Sequence, residues 1–334
     1  MNSLKITKHG TGILLKYGNT KLAFDTGATG FLTLLSHSHA DHIGQLHKAN
    51  QVIATKGTVD TLEARGKSLS CSSTIIRNGD TLGKIGYYIT ALNAGHVLGS
   101  SMFRVEFDDG LSVLYTGDFN TVDSIVHRAA AAIETDVLIT EATYGTPQWV
   151  FPERRGVHRD IVGKAKEIIE SGKIPIFRAY SLGKAQEAIA LLHHSGIATV
   201  SGNKAVDAVS SVYNDHGCDF DFIPSEFLAT PKKLPDEVAI VSSSPKHSRA
   251  SLIRGCKREY ENAKPRETKE YNLSGWTLLE YKNRGFPLSA HSDFPHLLAF
   301  AEAANPRVVY CFTGNARILS RHLDKGGINA VPLE

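Results

Sequence analysis

The chain has 334 residues, of which 42% are hydrophobic and 21% are charged, and its formal net charge is +3. This composition excludes a disordered or collagen-like chain, and no segment approaches the run of about 20 apolar residues that a membrane span requires. The slight positive charge neither demands nor excludes a polyanionic partner.

The N-terminal segment and the cysteines bear on the cellular compartment. The first ten residues mix Lys and His with isolated apolar residues and lack the apolar segment of a secretory signal. The four cysteines form no CxxC pair, so they predict neither a thiolate metal site nor a redox pair. We therefore expect a cytoplasmic protein with reduced cysteines and no membrane-spanning segment.

The first half of the chain is predicted to consist of short strands separated by turns. Gly18-Asn19 is typical of a two-residue hairpin turn. The apolar run 31–35 ends abruptly in polar residues, as a buried strand does where it enters a loop. The predicted strands are Ile13–Tyr17, Lys21–Phe24, 31–35, Gly86–Leu92, Met102–Phe107, Ser112–Tyr115 and Val137–Thr140.

From about Val157 onward, predicted helices alternate with predicted strands. Apolar residues recur at helical spacing up to Gly172, which ends the first helix. This alternation favours a parallel sheet with helices packed on it. The further elements are strand 174–179, helix 182–194, strand 197–200, helix 204–213, strand 238–241, helix 294–304, strand 307–312 and a helix from Asn315.

A cluster of potential metal ligands follows the strand at 31–35. The loop contains His37, His39, Asp41 and His42 within six residues. Imidazoles and a carboxylate crowded at a strand end are costly without a shared partner, and a metal ion supplies one. Because alternate side chains of an extended segment share a side, His37 and His39 can point the same way. A polar surface loop rich in histidine is the alternative interpretation.

Two later loops carry one ligand-type side chain each. His96 lies in GHVLGS after the strand Gly86–Leu92, and Asp118 lies in TGDF after the strand Ser112–Tyr115. Each motif is weak by itself, since a single histidine is more often structural and GD is more often a turn. Strands aim their loops toward a common point, so together with the histidine cluster these residues favour one metal centre.

These motifs resemble those of the metallo-β-lactamase superfamily. The order of Asp25 in AFDTG, then HSHADH, GHVLGS and TGDF follows the pattern of that superfamily. The segments LITEATYG, GKAQE and SAHSD resemble its β-CASP branch of nucleic-acid nucleases. In detail, TEATYGTPQWVFP and SLGKAQE are most similar to compact prokaryotic exonucleases of the DNA-ligase-associated or mRNA 3′-end-processing type.

The resemblance implies an α/β fold, an αββα sandwich built from residues 1–152 and 277–334, with an inserted α/β domain at 153–276. By matching position it also implies site residues. One Zn²⁺ would be held tightly and a second metal more weakly, with Mn²⁺ or Mg²⁺ as alternatives there. The implied residues are His37, His39, Asp41, His42, His96 and Asp118 for metal, and Asp41, Glu141 and His291 for catalysis.

The sequence departs from the two-metal pattern at one position. Thr313 stands where members with two full sites have a histidine in a VHG-like turn. A site with one imidazole fewer binds its metal more weakly. The DNA-repair nucleases of the branch similarly lack this histidine, which favours DNA as the substrate.

Two stretches are candidates for binding a polyanion. Ser181 and Lys184 lie at a predicted helix start, where backbone N–H groups can bind phosphate, although a serine there is more often only a helix cap. Ser243 follows a strand in a similar setting. The run 246–266 carries seven Lys or Arg against two Glu. A solvated surface is the commoner interpretation of such a run, and a track for a nucleic-acid strand is the alternative.

The resulting hypothesis is a zinc-dependent phosphodiesterase that acts as an exonuclease on DNA ends. Association with DNA-repair proteins such as a ligase is part of this hypothesis. An RNA-processing exonuclease or endonuclease is the nearest alternative, because the 2′-hydroxyl contacts that discriminate RNA leave no sequence signal here. A small-molecule metallo-hydrolase and a non-catalytic binding subunit are weaker alternatives. The oligomeric state has no sequence signal.

Overall fold

The computed structural model describes residues 3–230, 234–243, 266–280 and 284–333. The chain divides into two compact units. The first unit consists of Met1–Asp123, His127–Val150 and His291–Glu334, and the second consists of Ser124–Val126 and Phe151–Ala290.

The strands of the described residues are, in chain order, β1 (Lys5–His9), β2 (Gly12–Tyr17), β3 (Thr20–Phe24), β4 (Leu32–Leu34), β5 (Gln51–Ala54), β6 (Ser72–Ile75), β7 (Thr81–Lys84), β8 (Tyr87–Asn93), β9 (Ser101–Phe107), β10 (Ser112–Tyr115), β11 (Val137–Glu141), β12 (Ile174–Arg178), β13 (Ala198–Ser201), β14 (Val238–Ser242), β15 (Thr268–Leu273), β16 (Gly285–Phe286), β17 (Val308–Phe312) and β18 (Ala330–Pro332). The α-helices in the same described ranges are α1 (Lys56–Ala64), α2 (Arg154–Glu170), α3 (Lys184–His194), α4 (Lys204–Asp215), α5 (Phe294–Ala304) and α6 (Ala316–Lys325). Short 3₁₀ helices cover Leu46–Lys48, Ser225–Ala229 and Gly275–Leu278.

Two sheets make up the first unit. One has the order β1-β2-β3-β4-β5-β6, and the other has the order β18-β17-β11-β10-β9-β8-β7. In the first sheet β1 to β3 pair antiparallel through tight turns, and β3 to β6 pair in parallel. The predicted Gly18-Asn19 turn joins β2 to β3, with Gly18 at a φ of 55° that glycine adopts readily.

Side chains along the strands of the second sheet point alternately into two apolar clusters, one on each face of the sheet. In β10, Val113 and Tyr115 join the cluster shared with Phe24 of the first sheet, whereas Leu114 joins the cluster formed with helices α5 and α6. Successive side chains of a strand point to opposite faces, so a sheet covered on both faces is apolar on both. The first unit is therefore the predicted αββα sandwich, with apolar residues between the sheets and under the outer helices.

The second unit is the predicted α/β insertion. Its sheet has the order β13-β14-β12-β15-β16, and each neighbouring pair is parallel. Helices α2, α3 and α4 alternate with its strands along the chain, as the sequence pattern predicted. Among the described residues, no helix combines the length and the apolar character needed to cross a membrane.

The C-terminal limit of the insertion differs from the sequence expectation at residue 276. Strand β16 pairs with β15, so residues 285–286 belong to the sheet of the second unit. The two residues of β16 are too short to produce a strand pattern in the sequence. The compact units divide instead between Ala290 and His291, and on the N-terminal side between Val150 and Phe151.

Candidate metal centre

The candidate site of the first unit lies where several strands end. The segment with His37 and His39 follows β4, which is parallel to β3 and β5. In the other sheet, His96 follows β8, Asp118 follows β10, and Glu141 is the last residue of β11. Parallel strands bring their carboxyl ends to one edge of a sheet, which is why β10 and β11 present their carboxylates together.

Three imidazole nitrogens converge at the centre of this site. His39 Nδ1 lies 3.1 Å from His37 Nε2 and 3.0 Å from His96 Nε2. Asp118 Oδ2 lies 3.6 Å from His37 Nε2 and 3.7 Å from His96 Nε2. His37 and His96 are fully buried. The structure therefore brings together four of the six residues that the resemblance implied for metal binding.

This donor set fits a tetrahedral metal ion. Zinc–nitrogen bonds of about 2.0–2.1 Å put the ligands of a tetrahedral site about 3.3 Å apart, close to the separations of the three nitrogens. In their neutral form, three ring nitrogens that face one point also present lone pairs for which a cation is the natural partner. A donor set rich in imidazole suits zinc better than magnesium, which prefers oxygen ligands.

The orientation of His37 is set by a buried hydrogen-bond chain. Asp25 accepts hydrogen bonds from Ser36 N at 2.6 Å, Ser36 Oγ at 2.5 Å and Tyr115 OH at 2.8 Å. Since Ser36 Oγ gives its hydrogen to Asp25, it accepts one from His37 Nδ1, which lies 2.9 Å away. The lone pair of His37 is thereby left on Nε2, which faces the centre.

A second group of ligands lies on the other side of Asp118. His42 Nε2 is 3.3 Å from Asp118 Oδ2 and 3.7 Å from Asp41 Oδ2. His42 Nδ1 donates to Asp25 Oδ2 at 2.7 Å, which leaves Nε2 for a ligand. His42 is buried, whereas the Asp41 side chain is 67% exposed. This group has one imidazole and two carboxylates, fewer nitrogen donors than the first.

Charges within the centre shift the pKa values of its members. Burial lowers the pKa of His37 well below its usual value, and the neighbouring His42 lowers it further. Burial alone would also lower the pKa of His42, but the carboxylates of Asp118 and Asp25 raise it well above its usual value. Burial disfavours the charged form of Asp118, yet His42 and His291 hold the pKa of that carboxyl well below its usual range. A neutral His37 and an ionised Asp118 are the forms that bind a cation.

Glu141 and His291 form a pair next to the centre. His291 Nδ1 lies 3.0 Å from both carboxylate oxygens of Glu141. The backbone N–H of Phe119 donates to Glu141 Oε1 at 2.8 Å, and Glu141 is fully buried. One oxygen or nitrogen each of Asp118, Glu141 and His291 lie within 4.8 Å of one another. The His291 ring also lies 4.6 Å from that of His96, centroid to centroid.

Thr313 occupies the position at which the sequence departs from the two-metal pattern. It follows β17 directly, and its neighbour Phe312 pairs with Glu141. Its φ is 60°, a left-handed conformation that is strained for a β-branched residue. Its Oγ1 is buried and has no hydrogen-bond partner among the described residues.

The three predicted substrate-binding residues lie in the second unit, and only two of them share a cavity. Ser181 and Ser243 line a cavity of about 570 Å³. Lys184 is instead buried at the start of α3, with its Nζ 4.7 Å from the centroid of the Tyr180 ring. Amides expected to be free at this helix start are already bonded, because Gly183 N donates to Gln186 Oε1 and Ala185 N donates to Tyr180 O.

The other predicted polyanion track lies outside the described residues. This track is the basic run, of which residues 246–265 are not described. Only Arg266, the last residue of the run, is described, and its guanidinium donates to backbone carbonyls such as that of Asp236 at 2.9 Å.

Sequence reasoning missed the residues that support the ligands. Ser36 and Tyr115 both donate to Asp25, although 90 residues separate Tyr115 from Asp25 in the chain. Strand alternation places Tyr115 inward, but no local pattern states which buried carboxylate its hydroxyl meets. Arg65 was missed for the same reason; it lies just beyond α1 and its guanidinium donates to the carbonyl of Ser38 between the two ligand histidines.

Comparison with known protein families finds a match over the segment that carries most of these candidate ligands. A family model described as a beta-lactamase superfamily domain matches residues 27–179, which include the histidine cluster, His96, Asp118 and Glu141. This part of the chain is similar to the domain of the metallo-β-lactamase superfamily.

The relatives of this chain carry nuclease names and one ligase name. It is 28% identical over 308 residues to a probable DNA ligase of Opitutus terrae, an alignment that covers 89% of this chain and 28% of the ligase. It is 31% identical over 181 residues to an RNase J-like protein of Methanocaldococcus jannaschii, covering 48% of this chain and 43% of that protein. It is 29% identical over 186 residues to RNase aCSPSF2 of Saccharolobus solfataricus, an alignment that covers 48% of this chain and 37% of that RNase.

These names are consistent with the β-CASP nuclease branch that the motifs predicted. The chain spans less than half of the length of each of these three relatives, between 28% and 43%.

Proposed function

We propose that this chain is a metal-dependent phosphodiesterase that cleaves nucleic acids. The observation that carries the proposal is the convergence of His37 Nε2, His39 Nδ1 and His96 Nε2 within 3.0–3.1 Å contacts, with Asp118 beside them. The adjoining Glu141–His291 pair supplies a positioned acid–base group at the same place. A cation-binding cluster joined to such a pair suits hydrolysis of a phosphodiester better than a structural metal site.

The first group of ligands would hold zinc, and the second group would bind a metal more weakly. Three imidazoles and one carboxylate form a donor set that suits zinc. Asp41, His42 and Asp118 form a more open and more oxygen-rich set, for which Mn²⁺ or Mg²⁺ are also suitable. When bound, a divalent cation lowers the pKa of a coordinated water and neutralises charge on the phosphate group.

Side chains of the chain itself would then donate and accept the protons of the reaction. Because the Glu141 carboxylate can only accept, His291 Nδ1 carries a hydrogen and its other nitrogen, Nε2, can hold a second proton. In that form His291 can protonate the departing oxygen, while the negative charge of Glu141 stabilises the imidazolium. The exposed carboxylate of Asp41, next to His42, is suited to accept a hydrogen bond from the attacking water.

For the substrate we infer DNA, with exonuclease action at strand ends. The alignment with a probable DNA ligase covers 89% of this chain, whereas those with the two RNases cover 48% each. Thr313 in place of a histidine supports the same choice. A ligase would be a partner of matching chemistry, since it joins the ends that such a nuclease trims. The RNase names of the shorter matches favour RNA as the second candidate substrate.

The proposal is tested with 5′- and 3′-labelled single-stranded DNA and RNA in the presence of Zn²⁺, Mn²⁺ or Mg²⁺. We expect shortening of DNA from one end. The rate should fall at least 100-fold for His39→Ala, because this variant lacks the imidazole that lies between those of His37 and His96. His47→Ala is the matched control, since His47 is exposed on a 3₁₀ helix of the same unit. Turnover of a small ester with neither polymer cleaved would refute the nuclease, and full activity of His39→Ala would refute the ligand assignment.

A further inference from the structure

A cavity in the second unit lies at the carboxyl edge of its parallel sheet. Its volume is about 570 Å³, within the ordinary range for small-ligand sites. The loops after β12, β14 and β15 all contribute to it. Its lining includes the side chains of Tyr180, Ser181, Ser243, Asn272, Trp276 and Glu280.

The strand order explains why a cavity forms at this edge. Strands β12 and β15 are adjacent and parallel. After β12 the chain crosses to β13 on one side of the sheet, and after β15 it passes to β16 on the other side. Connections that leave two neighbouring strands in opposite directions open a crevice at their carboxyl ends, where open α/β sheets bind ligands.

Two aromatic side chains of this cavity are accessible to a ligand. Tyr180 is 61% exposed and Trp276 is 36% exposed, although both are large apolar rings. The ammonium of Lys184 lies 4.7 Å from the centroid of the Tyr180 ring, a cation–π contact that orients that ring in advance of binding. Exposed aromatic rings beside polar groups are the usual elements of a stacking platform for bases.

The charges at the cavity favour a neutral group over a phosphate. Among the described residues that line the cavity, Arg178 is the cationic side chain, and its guanidinium is bonded to Glu270 through two contacts of 3.3 Å. The carboxylate of Glu280 lines the cavity. Lys184, which the sequence suggested for phosphate binding, is not among the lining residues. The Glu280 carboxylate would repel a phosphate in this cavity, whereas an uncharged ring carries no charge for it to repel.

We propose that this cavity binds an unpaired nucleobase, stacked on Tyr180 and Trp276. The hydroxyls of Ser181 and Ser243 and the amide of Asn272 provide hydrogen-bond donors and acceptors for the base edge. The inference rests on the proposed function and deepens it, because it makes single-stranded nucleic acid the substrate class. Base pairing in a duplex would keep the base from entering.

The experiment uses the full chain with His39→Ala, so that cleavage does not consume the probe. Ten-residue oligonucleotides of DNA and of RNA are compared with an abasic decamer and with a blunt DNA hairpin. Trp276 is accessible whereas Trp149, the other tryptophan of the chain, is buried. We expect base-bearing single strands to quench tryptophan fluorescence, the abasic decamer and the hairpin not to, and Trp276→Phe to remove the quenching.

Affinity is measured in parallel by the anisotropy of labelled oligonucleotides. Tyr180→Ala and Trp276→Ala should each weaken binding of base-bearing strands at least fivefold. Tyr88→Ala is the control, because Tyr88 is an exposed tyrosine of the first unit. Equal affinity for abasic and base-bearing strands, or unchanged affinity in both variants, would overturn the inference. Quenching by an oligonucleotide that the unmutated protein does not cleave would refute the proposed function alone, and cleavage without quenching would refute this inference alone.

Discussion

Asp25 shows how one buried carboxylate organises several ligands. Four donors reach it: the N–H and Oγ of Ser36, His42 Nδ1 and Tyr115 OH. The bonds to His42 and, through Ser36, to His37 leave Nε2 of each ring as the free acceptor. Partners of this kind commonly change metal affinity tenfold to a hundredfold when they are removed.

Ser36→Ala tests this chain. The variant removes the acceptor for His37 Nδ1, so we expect zinc affinity to fall by about 10–100-fold while the fold is retained. Competition with a chromophoric chelator measures the affinity, and circular dichroism reports on the fold. Ser38→Ala is the matched control, because Ser38 Oγ bonds to Thr61 instead of an imidazole. Equal zinc affinity in the two variants would contradict the role of Ser36.

Thr313 is a second position at which one side chain is expected to matter. Histidine tolerates a left-handed backbone better than a β-branched residue, and Thr313→His also removes a buried hydroxyl without a described partner. We expect this variant to retain the stability of the parent and to raise the metal content at the weaker site. Elemental analysis after dialysis measures that content. An unchanged stoichiometry would contradict the interpretation of this position.

Among the elements, α2 and α3 are joined by a buried ion pair. Arg154 of α2 donates to both oxygens of Glu187 of α3, at 2.7 and 2.6 Å, and His158 lies 2.9 Å from the same carboxylate. Burial would raise the pKa of Glu187, but Arg154 and His158 lower it to about 2. The stabilisation is therefore complete above the unfolded pKa of about 4.3 and is lost as the pH falls toward 2.

Arg154→Met should destabilise the second unit. Removing one partner leaves a buried charge, which costs about 3 kcal/mol in the free energy of unfolding at neutral pH. Urea denaturation followed by circular dichroism measures this loss, and the variant should lose less stability than the parent as the pH falls from about 4.5 to about 2.5. Arg155→Met is the control, since Arg155 is exposed on the same helix. Equal stability of the two variants would contradict the role of the pair.

For the whole molecule, charge governs how nucleic acid is attracted. The net charge is only +3, but seven Lys or Arg fall within 246–266. If this run neutralises phosphates, removing one cation that pairs with a phosphate makes the slope of log affinity against log salt shallower by about 0.7 for a single strand.

Replacing Lys257 and Arg258 by glutamine tests this prediction. The double change should make the slope shallower by about 1.4, measured by anisotropy at several salt concentrations. Glutamine at Lys5 and Lys21, which are exposed on the six-stranded sheet, changes the net charge equally and serves as the control. If the two double variants change the slope equally, net charge governs binding and the run 246–266 is not a local track for the strand.

The sequence predicted the elements whose local pattern is strong. Strand Ser112–Tyr115 and helix Phe294–Ala304 begin and end where their periodicity indicated. It did not predict β6 or β7, whose residues are mostly exposed or half-buried and whose pairing depends on neighbours distant in the chain. Helix α1 was missed as well, since its apolar residues are few.

For the site, spacing alone determined that His37, His39, Asp41 and His42 lie close together, because residues a few positions apart in one loop cannot separate. Only the tertiary structure decided that His96, Asp118 and His291 meet them. Their meeting depends on the order and register of two sheets, to which segments more than a hundred residues apart contribute. The same holds for the cavity with Tyr180 and Trp276, since strand order is set by packing of the whole core and leaves no local trace in the chain.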